Sequence, residues 1–551
     1  MSVTATRFAG TRSVLVELSD LDSVLALDAL LEASPLPGQL DVLAAASTVF
    51  IKADSWASAR KIAAAIPALE LGTAPENAGS LVTVDVHYDG EDLAEVAKLT
   101  DLSIESVINA HTSQTWRAAF GGFAPGFAYL LGENSSLNVP RRDTPRKVVP
   151  SGAVALAGDY SAVYPRQSPG GWQLIGHTDA VLWDLERENP ALIRPQDRVQ
   201  FTASHTSLKL SSRTAAAPAH AAPKAAAGQL EILDPGLQSL IQDLGRPGLG
   251  NLGVSAAGAA DTSSARAANR LVGNAAEAAV IENLLGSLVL RARGDAVLSV
   301  TGAHAQLLIT PVEEDDFHEE ERAPQMNTPF ALLDGETLTL LPSGSGLRSY
   351  LGVRGGIDVD PVLGSRSTDS MSGIGPAPLA PGTLLPVGTV TGSHVVGNPE
   401  PSTLPVPDAH GIYTLRISKG PREDWFGEAG LRQLTGQTWS VSAESNRVGV
   451  RLALPGDSSP LTRIRTGELS SEGVAVGALQ VPPSGLPVLF LADHPVTGGY
   501  PVIAGVIAED LPAAAQLPPG AQLRFELVDP LTHNPHAPRA AGAPSHEGNT
   551  P

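Results

Sequence analysis

Residues 120–130 read FGGFAPGFAYL, and residues 149–178 continue in kind with VPSGAVALAGDYSAVYPRQSPGGWQLIGHT. From Phe120 to Phe201 short apolar runs are cut by glycine or proline roughly every eight to twelve residues, which predicts short strands joined by tight turns in a barrel or sandwich. Upstream, SVLVEL (13–18) and TVFIK (48–52) read as strands. Leucines at helical spacing over 21–32 and the stretch 55–66, with Ser55 as N-cap, read as helices. That is a small α+β unit. LVTVDVHY (81–88) alternates like a strand, and a helix is expected over 92–99. The run SSRTAAAPAHAAPKAAAG (211–228) is too rich in proline for a helix and reads as a linker. Beyond it the strand-and-turn style returns, with one helix near 261–271 and an acidic loop at 313–322. The expected organisation is an α+β unit at 1–80, a barrel at 81–210, the linker, a second β region at 229–530 and a disordered tail at 531–551. No short-period repeat is visible.

Composition narrows the function. The chain of 551 residues is 42% hydrophobic, enough for several cores, but only 4% aromatic, with 55 glycines and 45 prolines. Lys+Arg 37 against Asp+Glu 58 leaves a net charge of −21, which repels nucleic acid and anionic membranes. There is no cysteine, so disulfides, thiolate nucleophiles and cysteine-ligated metals are excluded. No apolar run approaches the ~18 residues of a membrane span, and the first residues lack a signal-peptide layout, so a cytoplasmic location is expected.

The familiar catalytic signatures are missing. GLGNLG (248–253) matches G-x-G-x-x-G formally, but no strand–turn–helix unit surrounds it, so it reads as a glycine turn. There is no Walker loop, no H-E-x-x-H and no G-x-S-x-G. What remains is polar residues set among glycine and proline: PRRDTPR (140–146), YPRQSPGGW (164–172), QDLGR (242–246), GSRST (364–368), GPREDWF (420–426), SNRVGVR (445–451), QVPPSG (480–485) and DHPVTGGY (493–500). Glycine lets backbone approach a ligand, proline fixes a loop, and arginine offers a planar fork for carboxylate or phosphate. Singly, each motif reads as a turn with a solvated arginine; together they point to anion chemistry.

These runs carry a family resemblance. The stretch from about Ser13 to Phe201, with GFAPGFAYL, VPRRDTPRKVVPSGAVALAG and YPRQSPGGWQLIGHT, resembles the B component of 5-oxoprolinase, also called allophanate hydrolase subunit 1. The stretch from about Leu230 to Val528, with SLIQDLGRPG, AADTSSARAANRLVGN, GVRGGIDVDPVLGSRST, SNRVGVRL and VGALQVPPSGLPVLFLADHPVTGGYP, resembles the C component, or allophanate hydrolase subunit 2. His177 stands where the family usually has arginine, and Val450 where it has an aromatic residue. The same modules form the carboxyltransferase domain of urea carboxylase, and the two-protein form includes a sporulation-kinase inhibitor and its antagonist.

The resemblance implies a mainly β chain: a small α+β N-terminal unit and cyclophilin-like β-barrels, one in the N-terminal half and two related ones in the C-terminal half. It implies a B–C fusion of an ATP-dependent 5-oxoprolinase, which phosphorylates the lactam oxygen and lets water open the ring to L-glutamate. ATP and Mg²⁺ are its implied cofactors, the separate A component of 5-oxoprolinase its implied partner, a cyclic amide its substrate, and homo-oligomers are expected. The residues assigned to catalysis are Arg246, Asp261, Arg366, Arg447 and Asp493. Those assigned to substrate or nucleotide are His111, Arg146, Tyr164, Gln242, Asp243, Arg422, Arg451, Gln480, Ser484, Thr497 and Tyr500. His111 is also a candidate proton carrier, and Asp243, Asp261 and Asp493 are carboxylates that suit either Mg²⁺ or the orienting of neighbouring groups, with the metal site itself left unassigned. The alternatives are a biotin-dependent carboxyltransferase, for which this chain has no Met-Lys-Met biotinylation site, and a binding protein that inhibits a histidine kinase.

Overall fold

In the computed structural model of the chain, the described residues are 2–72, 79–204, 228–312, 320–342, 344–390, 394–456, 458–532 and 534. The linker up to residue 227, the acidic residues 313–319 and almost all of the tail lie outside them. No described helix is long and apolar enough to cross a membrane.

The N-terminal unit is a four-stranded antiparallel sheet of Val3–Phe8, Ser13–Leu18, Thr48–Ala53 and Gln39–Ala44, in that spatial order. Helices Leu21–Ala33 and Trp56–Ala65 pack on it. Each starts at a capping side chain: Asp20 accepts from the Ser23 N–H at 2.7 Å, and Ser55 from the Ser58 N–H at 3.2 Å. Val14, Val16, Val49 and Ile51 alternate inward with Leu27, Leu31 and Ile62, and this core continues into Phe120, Phe127 and Tyr129 of the next unit. One carboxyl is trapped there. Asp28 is buried with an unpartnered Oδ1, and burial, with the charges of Glu32 and Asp41, pushes its pKa up to about 7. A carboxyl whose folded pKa is raised contributes most below its unfolded value, and that contribution is lost as pH rises towards 7. Asp28→Asn is therefore expected to raise the melting temperature at pH 8 and to change it little near pH 4, as read by thermal denaturation at both.

The first barrel runs from Leu81–Val86 to Arg198–Ala203. Its seven strands form one sheet, and the ring is almost closed by a backbone pair between His87 and His177, with both N–H···O distances 2.8 Å. The middle region is two five-stranded sheets around one core of Leu230, Ile281, Leu298, Leu338 and Leu351. Its helix, Thr262–Leu271, is capped by Asp261. The last unit is a closed seven-stranded barrel from Ile412–Lys419 to Gln522–Leu527. The chain is mainly β, as expected.

The first and last barrels repeat one another element by element. In each, the final strand pairs in parallel with the first, and the neighbour order round the ring is the same. Each carries a two-stranded flap, Arg146–Val149 with Ser168–Gly170 in one and Glu472–Gly473 with Thr497–Gly498 in the other. Each has a buried tryptophan whose indole N–H donates to a carbonyl five residues back at a helix end: Trp116 to His111 at 2.9 Å and Trp439 to Leu434 at 3.0 Å. Gly90 and Gly420 lie where a Cβ would come within 2.3 and 2.5 Å of the opposite strand's carbonyl, so each barrel keeps its glycine there. The sequence echo is faint (SPGGW against VTGGY), because only backbone spacing and a few packing positions are held in common.

The two halves pack tightly. The glycine turn expected at 248–253 is a short helical turn, Gly250–Leu252, and Gly253 has φ +76° with its Cα pressed on Ala124 of the first barrel, where a Cβ would lie 2.2 Å from a carbonyl oxygen. Arg422 of the last barrel reaches Glu17 of the N-terminal sheet at 2.5 Å.

Candidate functional site

Three of the quoted motifs converge where the first barrel meets the middle region. The strand Gln238–Gln242 ends at Asp243, whose carboxylate accepts from Ser365 Oγ (2.6 Å), Ser367 Oγ (2.5 Å), the Arg366 N–H (2.6 Å) and the Gly245 N–H (2.7 Å). One side chain thus ties the QDLGR turn to the GSRST loop. Arg246, 2% exposed, donates Nη2 to the Ser367 carbonyl, while its Nη1 is buried without a partner. Asp369 uses Oδ1 to accept from the N–H groups of Met371 and Ser372, both at 2.9 Å, and its Oδ2 is buried without a partner. From the other half of the chain, Arg166 of the YPRQSPGGW motif donates Nη1 to the Met371 carbonyl and keeps a buried, unpartnered Nε.

Burial sets the electrostatics. It pushes the pKa of Arg246 and Arg166 down against the pull of Asp369, and it pushes that of Asp369 up, with the Asp493 charge adding to the rise. Buried polar atoms in folded proteins are nearly always satisfied, so two guanidinium groups and a carboxylate with spare atoms in one place mark a site built for something else to complete.

Behind this cluster lies a fully satisfied network. Arg447 grips Asp493 with Nε at 2.9 Å and Nη2 at 2.8 Å, donates Nη1 to Glu282, and reaches the Gly258 carbonyl at 2.6 Å. Burial opposes its charge, but Asp493 and Glu282 outweigh that and hold its pKa above the usual range. Asp493 also accepts from the Ser370 N–H at 2.9 Å, which anchors the Asp369 loop. Glu282 accepts from Tyr350 Oη at 2.8 Å, and that oxygen accepts from the Asp261 N–H at 2.7 Å. Asp261 accepts from Ser263, Ser264 and Gln516.

The expected metal ligands are used up. Asp243, Asp261 and Asp493 spend their oxygens on N–H and O–H donors, and among the described residues no group of three His, Asp or Glu side chains could hold a metal ion. These carboxylates orient loops and do not fit Mg²⁺.

Several other expected residues stand apart from the cluster. Gln242 is buried and donates to the Thr368 carbonyl at 2.9 Å, close behind it. Arg366 points outward to the Val359 carbonyl (2.7 Å) and Asp358 (3.1 Å). His111 is a core residue and no proton carrier: it is 0% exposed, held by Tyr88 Oη at 2.7 Å and Ser161 Oγ at 2.9 Å, and burial drives its pKa down to about 3. Tyr164 is likewise buried in aromatic packing against Phe127. Arg146 pairs with Asp92 at 2.8 Å, and Arg422 pairs with Glu472 of its own barrel and with Glu17 of the N-terminal sheet. Gln480, Thr497 and Tyr500 do come together on the last barrel, where Gln480 donates to the Tyr500 carbonyl at 3.2 Å and Arg463 lies over the Tyr500 ring at 5.8 Å. Thr497 is buried there with an unpartnered Oγ1. Arg451 and Ser484 are exposed on that barrel and complete no cluster.

Sequence reasoning passed over Arg166, Asp369 and Glu282. Arg166 and Asp369 sit in or beside motifs already singled out, and nothing in the local sequence sets them apart from their polar neighbours. Glu282 does have a signal: an acid in the apolar strand Val280–Leu284 must be paired.

Comparison with known proteins agrees with this two-part layout. The model of the carboxyltransferase domain, subdomain A and B, matches residues 252–527, and that of subdomain C and D matches residues 4–193. The chain is 34% identical over 305 residues to the C component of 5-oxoprolinase from Escherichia coli K12, a match covering 54% of this chain and 90% of that protein. It is 47% identical over 112 residues to the B component of 5-oxoprolinase from Escherichia coli O157:H7, covering 20% of this chain and 51% of that one. It is 30% identical over 316 residues to urea amidolyase of Saccharomyces cerevisiae, covering 54% of this chain and 16% of that one. The crystal structure of TTHA0988 superimposes with a TM-score of 0.79 at 33% identity, covering 93% of this chain and 99% of that one.

Proposed function

Because this chain belongs to the carboxyltransferase-domain family, as a fusion of modules like the B and C components of 5-oxoprolinase, we propose that it is the B–C part of a 5-oxoprolinase. In this reading it acts in the cytoplasm with a separate A component and opens the 5-oxoproline lactam to L-glutamate. ATP is a co-substrate: the lactam oxygen takes its γ-phosphoryl group and ADP leaves. Water then adds at the carbonyl carbon, the ring C–N bond breaks, and phosphate departs as a second water completes the hydrolysis. Among the described residues, Asp243, Asp261 and Asp493 do not fit Mg²⁺.

The observation that carries the reading is the meeting of Arg166 from the B-like half with Arg246 and Asp369 from the C-like half, each with a spare buried atom. Charge that develops on transferred oxygens is best met by preorganised donors in a dry site, which suits Arg166 Nε and Arg246 Nη1. Asp369 keeps its proton to a higher pH than an ordinary carboxyl, so its Oδ2 can deliver one to the departing ring nitrogen. Joining the two halves in one chain raises their effective concentration for each other, as a site shared between them requires.

The test is glutamate and ADP release from 5-oxoproline and Mg-ATP, with purified chain alone and with the A component. Turnover is expected only with that partner, and none with the partner present overturns the reading. A second reading, carboxyl transfer from carboxybiotin to urea, has support in the family's name and in the likeness to urea amidolyase. Carboxybiotin consumption dependent on urea would favour it.

A further inference from the structure

The two barrels hold the same ion pair with its signs exchanged. In the first, Asp92 follows the glycine that touches the opposite strand, its N–H donates to the Leu174 carbonyl, and its carboxylate takes Arg146, the flap residue opposite Gly170. In the last, Arg422 occupies the Asp92 place, its N–H donates to the Val502 carbonyl, and its guanidinium takes Glu472, the flap residue opposite Gly498. The surroundings differ as well. Over the last barrel's flap the N-terminal sheet is already seated: Phe50 lies so close to Gly473 that a Cβ there would fall 2.3 Å away, and Glu17 brings Arg422 a second carboxylate at 2.5 Å.

The first barrel's flap has no such cover among the described residues. Val148 on it is 55% exposed, and Lys147 beside it is exposed. Under it Asp92 gathers Arg142 at 2.5 Å and Arg146 at 2.8 Å, and Arg146 also reaches the exposed Glu91 at 3.1 Å. Four polar atoms on the flap and the segments flanking it are buried and unpartnered: Arg142 Nε, Arg146 Nη1, Ser168 Oγ and Gln173 Oε1. Three of these can donate to an anion. The flap itself is held by only two paired positions with a bulge between them, so it can lift at small cost.

We infer that the flap of the first barrel is an anion subsite, in which Arg142, Arg146 and Ser168 take the carboxylate of the small substrate, as Arg422 takes the Glu17 carboxylate in the last barrel. Naming 5-oxoproline as that substrate rests on the reading above. Ser168 is two residues from Arg166, so the flap and the shared cluster are joined along one short segment of chain.

The test is calorimetric titration of the full chain with 5-oxoproline, with its uncharged carboxamide and with inorganic phosphate. Arg142→Gln leaves Arg146 to pair with Asp92, and Ser168→Ala serves as a second, milder variant. 5-Oxoproline is expected to bind and the carboxamide not to, with binding weakened about tenfold or more in Arg142→Gln and less in Ser168→Ala. Equal binding of acid and carboxamide, phosphate binding in place of 5-oxoproline, unchanged affinity in both variants, or no binding by the native chain would each overturn the subsite. Turnover with the A component is read separately. Native turnover with an unchanged KM in Arg142→Gln removes the subsite and spares the 5-oxoprolinase reading. Carboxylate binding without turnover does the reverse.

Discussion

Replacing Arg447 with methionine is expected to lower the unfolding free energy by about 3–5 kcal/mol, the usual effect of deleting one partner of a buried ion pair. Methionine fills much of the volume, so the loss comes from charge. Arg447 is 3% exposed and serves Asp493 and Glu282 together, and without it two buried carboxylates share one region with Arg348, 3.5 Å from Glu282, and Arg246, which feels the Asp493 charge, left nearby. Orphaned buried carboxylates cost most when charged, so the variant is least impaired in acid and more impaired at higher pH. Urea unfolding at pH 5 and pH 8 reads both effects. Adding Asp493→Asn should recover part of the loss, because it removes one orphaned charge. A deficit below about 1 kcal/mol at pH 8 would mean that the network does not carry the junction between the middle region and the last barrel.

Arg166→Gln is expected to lower turnover with the A component by about 100-fold, the scale seen when one preorganised donor to a developing oxyanion is removed. Stability should move little, since the side chain makes a single hydrogen bond, to the Met371 carbonyl. Arg166→Lys should not restore the rate, because an ammonium group cannot keep that bond and offer a second donor in the same plane. A change within about twofold in kcat/KM would remove the shared cluster as the reacting site, whatever Arg246 and Asp369 do.

Much of the fold was legible in the chain. The α+β start, with Ser55 as a cap, follows from helical leucine spacing and capping chemistry, which act over a few residues. The glycine turn at 248–253 was legible for the same reason. Local signals also exposed the motifs, since an arginine framed by glycine and proline stands out wherever it lies. His111 shows the limit: in sequence it is a titratable residue after a helix, and only the closure of the barrel around it, with Tyr88 and Ser161 at its nitrogens, makes it a neutral core side chain.

Composition, strand spacing and motif content by themselves determined a mainly β chain in two linked halves, without cysteine chemistry and rich in arginine loops. Three things only the tertiary structure decided: that Arg166 and Asp369 meet, that the first and last barrels are counterparts across the halves, and that their shared ion pair is reversed. The physical reason is range. Turns, caps and strand alternation are set by neighbours along the chain, whereas a buried charge is defined by what surrounds it in space, and here its partners lie as far away as the 405 residues between Arg422 and Glu17.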